Sequence, residues 1–129
     1  MNDEIRFEEL KGEIFSSISV KRNDGDDVIT FKTVDGKEYQ MYHDQGCCES
    51  VTIDDICGDL DDLIGSEILQ AEEASQNTDP EDVEIDEVYR DAFTWTFYKL
   101  ATIKGCVTIR WYGESNGYYS ERVSLVRVS

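Results

Sequence analysis

From residue 13 onward, apolar and polar positions take turns. In EIFSSISV, Ile14, Ser16, Ile18 and Val20 share one side at every second residue, the period of a β-strand. NDGDD reads as a turn, VITFKTV as a second strand, Asp35-Gly36 as a tight turn and KEYQMYH as a third strand. An Asp-Gly pair between two alternating runs is a strong hairpin signal, because glycine accepts the positive φ of a type I′ turn. The chain turns again at Asp44, Gln45 and Gly46 and returns as CCESVTI, so residues 13–57 read as a β-meander.

The period then changes. In DDICGDLDDLIGS, Ile56, Leu60, Leu63 and Ile64 fall at helical spacing and Gly65 stands where a C-terminal cap belongs, which predicts a helix of one or two turns. SEILQAEEA reads as a strand through Leu69 and Ala71, against the helix propensity of its residues. Residues 75–91 are polar and acidic and hold the only proline, so a long acidic loop is expected there. Alternation resumes in AFTWTFYKLATI, with Phe93, Trp95 and Phe97 against Thr94 and Thr96. CVTIRWY sets Val107, Ile109 and Trp111 on one face. Asn116-Gly117 is another hairpin signal, and YYSERVSLVRV closes a second meander over residues 92–128.

The expected fold is therefore α+β and mainly antiparallel β, a single domain over residues 1–129. The two meanders would pack as one twisted sheet, a roll or a small sandwich, with one or two short helices. A chain of 129 residues with 40% hydrophobic and 11% aromatic content can bury a core of that size.

Charge narrows the function. The net charge is −17, and it is uneven: residues 44–91 carry seventeen carboxylates against one basic residue, Arg90. That sign excludes direct binding of nucleic acid or an anionic membrane through this face. No apolar run reaches 18 residues and MNDEIRFEEL lacks an apolar signal core, so neither secretion nor membrane insertion is expected. Cys47, Cys48, Cys57 and Cys106 accordingly read as reduced thiols of a cytosol.

YHDQGCCES holds the only histidine. Zinc needs about four converging N or S ligands, usually in two closely spaced pairs. Here the second pair is missing, so no metal and no cofactor are expected; His43 and Cys48 would be the ligands if a metal were bound. A Cys48 nucleophile with His43 as base would make a small enzyme, but the neighbouring carboxylates disfavour a thiolate. The acidic run lacks the spacing of a calcium loop, and phosphate-cradling glycine motifs are absent. An aromatic and basic C-terminal sheet, with Phe93, Trp95, Phe97, Tyr98, Trp111, Tyr112, Tyr118 and Tyr119 beside Lys99, Lys104, Arg110, Arg122 and Arg127, would suit single-stranded nucleic acid. The same alternation equally serves cross-strand pairs lining a core.

Over residues 31–125, the stretches YHDQGCCESVTIDDICGDLDDLIGSEILQAEE and TWTFYKLATIKGCVTIRWYGESNGYYSERV resemble a family of small uncharacterised proteins of tailed phages and prophages. The resemblance implies a bacterial host cytoplasm and carries no catalytic residue. With the charge, it leads to a non-enzymatic interaction protein that binds a host or phage protein. The sharpest version is a basic nucleic-acid-binding or defence factor, met by acidic mimicry. The expected contact residues are Asp54, Asp55, Asp59, Asp61 and Asp62, with Glu81, Asp82 and Glu84.

Overall fold

The computed structural model describes residues 3–22, 27–43, 49–76, 92–115 and 123–128. They form nine strands: β1 (Asp3–Glu4), β2 (Phe15–Lys21), β3 (Val28–Thr33), β4 (Glu38–Tyr42), β5 (Glu49–Cys57), β6 (Gln70–Gln76), β7 (Ala92–Thr102), β8 (Gly105–Ser115) and β9 (Ser124–Arg127). Two short 3-10 turns, η1 (Phe7–Leu10) and η2 (Leu60–Leu63), supply the helical content of the described residues. The fold is thus closer to all-β than to the expected α+β.

The reason lies at Gly58. Its φ of 111° turns the chain out of β5, which already contains Ile56. Asp59 then caps a single turn closed by Asp62 N to Asp59 O (3.0 Å) and Ile64 N to Asp61 O (3.2 Å). Gly65, at φ 79°, follows directly. The helical spacing of Leu60, Leu63 and Ile64 is real but too short to propagate, since nucleating a helix is costly.

Two sheets form, with strand orders β1-β9-β4-β3-β2 and β5-β8-β7-β6. The antiparallel meander β2-β3-β4 is as the alternation predicts. Its expected fourth strand departs: β5 pairs with β8 in the other sheet. The second meander loses its last strand in the same way, because β9 crosses over and inserts between β4 and β1. Each meander thus completes the sheet of the other.

Both sheets face one core. Phe15, Ile29, Phe31, Tyr39, Met41 and Leu125 come from the first sheet; Val51, Ile53, Tyr98, Leu100, Val107, Ile109 and Trp111 come from the second. A bulge between Phe15 and Ser17 shifts the phase of β2, so Phe15 is buried and Ile14 faces outward. Residues 64–69 stitch the sheets laterally: Gly65 N donates to Phe15 O, Gly12 N to Ile68 O, Ile68 N to Glu13 O and Leu69 N to Ala101 O, at 2.8–2.9 Å. Asp27 adds a link from the start of β3, its buried carboxylate accepting the N–H of Ile53 at 2.8 Å.

Strand β7 is buried on both faces. Thr96, Tyr98 and Leu100 stand opposite Trp111, Ile109 and Val107 on the core side. Trp95 stands opposite Tyr112 and Phe97 opposite Arg110 on the outer side. The aromatic faces read from β7 and β8 therefore lie on opposite sides of the sheet. Trp95 is fully buried yet separate from the main core.

The strand expected in SEILQAEEA begins at Gln70, leaving Leu69 outside it and exposed, and β6 extends through Ser75 and Gln76, which shortens the acidic loop at its start. Residues 77–91 lie outside the described residues.

Candidate functional site

Asp54, Asp55, Asp59, Asp61 and Asp62 form one acidic corner, built from the end of edge strand β5 and from η2 with the residue that caps it. Asp54 sits at a second bulge, where the register shifts between Ile53 and Asp55. A bulge turns an edge-strand side chain away from the regular pleat. There the Asp54 Oδ2 receives both Arg110 Nε (2.8 Å) and Nη2 (2.6 Å). The guanidinium in turn lies 5.2 Å from the Trp95 ring centroid, and Tyr112 packs on the same ring at 4.5 Å. Asp54 is thus exposed but ion-paired within the chain, as one end of an Asp54–Arg110–Trp95 stack.

Asp55, Asp59 and Asp61 are exposed, and Asp62 is half-buried. Asp59 caps η2, with its Oδ1 accepting the N–H of Asp61 at 2.9 Å. The Asp62 carboxylate occupies the space a Cβ at Gly105 would need, 2.8 Å from that position, and its carbonyl accepts the Thr102 hydroxyl. Lys104 reaches in and donates to the Ile64 carbonyl at 2.5 Å. Two cations, Arg110 and Lys104, are thereby engaged at this corner, while Asp55 and Asp61 face outward. Glu81, Asp82 and Glu84 lie outside the described residues.

At the β3–β4 turn, charge is arranged differently. The Thr33 hydroxyl donates to Asp35, and Lys37 Nζ meets Glu13 Oε1 at 2.8 Å and Asp35 Oδ2 at 3.5 Å. The Thr33 hydrogen bond, followed by the Lys37 charge, holds the Asp35 carboxyl below its ordinary range. The Glu13 hydrogen bond and charge hold Lys37 above its ordinary value. Burial, and then the Glu13 charge, push the Tyr39 phenol up.

His43 is buried at the end of β4, while Cys47 and Cys48 lie outside the described residues, so the His43–Cys48 pairing is not placed. Cys57 and Cys106 are exposed free thiols. Among the described residues, no group of three or more His, Cys, Asp or Glu side chains is arranged to hold a metal ion. The aromatic and basic residues of the C-terminal strands do not share one platform. Tyr98 and Trp111 enter the core, Trp95 is buried on the outer face, and Arg127 belongs to the other sheet. Tyr118, Tyr119 and Arg122 lie outside the described residues.

The sequence pattern does not mark the structural roles of three residues, Asp27, Arg110 and Trp95. Asp27 looked like one more turn carboxylate and has no pattern to mark it. Arg110 and Trp95 were visible singly, but only register brings Arg110 beside β5. No helix among the described residues is long and apolar enough to cross a membrane.

These features define a two-sheet antiparallel β-domain with the carboxylates of residues 54–62 at the end of an edge strand and in the turn after it. Residues 8–125 match the family model for a domain of unknown function (DUF7448), and the chain belongs to that family. No curated protein and no solved structure matches the chain.

Proposed function

We propose that this chain is a non-enzymatic interaction protein, encoded by a phage or prophage, that acts in the bacterial cytoplasm by binding a host or phage protein through its acidic corner. The partner is a basic protein, and its sharpest form is a nucleic-acid-binding or defence factor whose phosphate-reading groove accepts carboxylates instead. The observation that carries this reading is the outward placement of Asp55 and Asp61 beside Asp59 and Asp62. The two nearby cations, Arg110 and Lys104, are already engaged at Asp54 and at the Ile64 carbonyl. Self-repulsion of that kind is relieved by a partner's arginines and lysines.

The test is affinity purification from infected cells at two salt concentrations, with mass spectrometry of what is retained. A basic protein should be captured at low salt and released as screening shortens from about 10 Å at 0.1 M to about 3 Å at 1 M. The triple variant Asp59→Asn, Asp61→Asn, Asp62→Asn should lose that capture. Equal capture by the triple variant, or capture indifferent to salt, would refute the reading.

A further inference from the structure

The two sheets end in four edge strands, β1, β2, β5 and β6. Three of them carry carboxylates: Asp3 and Glu4 on β1, Asp54 and Asp55 on β5, Glu72 and Glu73 on β6. Charge of this kind blunts an exposed edge against pairing with another chain. Strand β2, FSSISVK, carries none. With 29 acidic residues among 129, so clean an edge has the composition of the interior strands β3, β7 and β9, which also lack carboxylates.

Register shows which backbone groups of β2 face outward. Thr33 N donates to Lys37 O on the β4 side, and Val34 N donates to Ile14 O on the β2 side, at 2.9 Å each. Backbone groups alternate in direction along a strand, so Val28, Thr30 and Lys32 of β3 bond toward β2. Their partners there are Lys21, Ser19 and Ser17. Ile18 and Val20 therefore turn their N–H and C=O groups to the other side, where no described strand lies. The start of the edge is closed, because a bulge lies between Phe15 and Ser17 and the Phe15 carbonyl accepts the Gly65 N–H at 2.9 Å. The open stretch is thus residues 17–21, with Ser17, Ser19 and Lys21 exposed and Ile18 and Val20 half-buried.

We infer that this edge joins a second copy of the chain, β2 against β2, antiparallel about a two-fold axis at Ser19. The strand is self-complementary in that register. Ile18 and Val20 of one copy exchange backbone hydrogen bonds with Val20 and Ile18 of the other. Their side chains pair apolar to apolar, Ser19 meets Ser19, and Lys21 falls opposite Ser17, so no like charges are directly opposed. On each of the other three edges the same operation would bring carboxylates of the two copies close. A chain of net charge −17 repels its own copy, and β2 is the edge where that repulsion is least. A two-fold contact closes on itself, so it yields a dimer with the two five-stranded sheets continuous, and not a fibre. The contact is short, which makes the dimer weak and concentration-dependent.

The experiment is sedimentation velocity of the full chain over a wide range of concentration, at low and high salt, with amide hydrogen exchange on the same samples. Wild type should move from the mass of one chain toward that of two as concentration rises. High salt should favour the dimer, because screening removes repulsion between the copies. Capture of a basic partner at the acidic corner responds to salt in the opposite sense, so the two readings fail separately. Exchange at Ile18 and Val20 should slow with concentration, while Ser19, bonded to β3, stays protected throughout. Val20→Pro removes an N–H that β3 does not use and should weaken the dimer by roughly tenfold or more, since two symmetric hydrogen bonds are lost. Ser19→Lys, an exposed change, opposes like charges across the axis and should weaken it by roughly two- to fivefold. A chain that stays monomeric at every concentration and salt, or a dimer that both variants leave intact, overturns the inference. So does slowed exchange at Ile18 and Val20 only when another protein is added, which would assign the edge to a foreign strand.

Discussion

The β3–β4 turn and the β5–η2 corner are both rich in carboxylates, and they use them in opposite ways. At the turn, Asp35 and Glu13 converge on Lys37, and all three side chains sit within one hydrogen-bonded group. At the corner, one aspartate is held by Arg110, another caps a 3-10 turn, Asp62 packs half-buried beside Gly105, and Asp55 and Asp61 face water. Composition cannot separate the two cases. What separates them is whether the fold brings a cation and a donor to each carboxylate, and only register decides that. A carboxylate with such partners belongs to stability, and one without them is available for association.

The largest effect tests whether the corner is held by its backbone rather than by its charges. Gly58→Ala would place a Cβ 2.6 Å from the Cys106 carbonyl oxygen, at a φ of 111° that side chains rarely adopt. Strain and overlap each cost about 1–3 kcal/mol, so a large fall in the urea midpoint is expected. A wild-type midpoint would show that the corner yields easily. Next comes the buried carboxylate: Asp27→Ala strands the Ile53 N–H and should cost about 1–3 kcal/mol, with Asp27→Asn milder. Equal stability of wild type and Asp27→Ala would remove this residue from the structural class.

Arg110→Ala should cost about 1–2 kcal/mol, combining an exposed ion pair with a cation–aromatic contact. It should also change the fluorescence of Trp95, which the guanidinium covers at 5.2 Å. No change in either would mean that Asp54 is as free as its neighbours.

The turn should announce itself in alkali. Lys37 and Tyr39 both hold their protons more tightly in the folded chain than at their ordinary values of 10.5 and 10.0. Their contribution is therefore complete below pH about 10 and lost as pH rises through the raised values. Asp35, held low, contributes above the ordinary carboxylate range and loses that contribution as pH falls through its lowered value. Lys37→Met should flatten part of the alkaline limb measured by thermal melting across pH. The smallest effect is the triple Asn variant at the corner, whose stability should stay within about 0.5 kcal/mol of wild type. Asn caps a turn as well as Asp does. A marked loss there would move these carboxylates into the structural class.

Alternation made most strands legible, because side chains point to opposite faces at every second residue whatever the partner strand is. It could not reveal that β5 and β9 change sheets, since periodicity assigns faces and not neighbours. Phase errors came from the bulges: one exchanges Ile14 for Phe15 in the core, and the other sets Asp54 toward Arg110. Burial of β7 on both sides was not legible either, because alternation separates the threonines from the aromatics without showing what covers each face. Of the candidate corner, its existence and sign were legible from Asp54 to Asp62. The division of labour within it was not, because the cations that decide it come from residues 104 and 110.

The exchange of β5 and β9 also sets the order of events as the chain is made. The first sheet leaves a gap between β1 and β4 until β9 emerges, near residue 124, so a nascent chain shorter than that exposes two unpaired strand edges. Closing so distant a pairing is entropically slow. Folding should therefore be late, cooperative and dependent on the last strand. A ribosome stalled before residue 123 would hold a chain prone to pair with its neighbours rather than with itself.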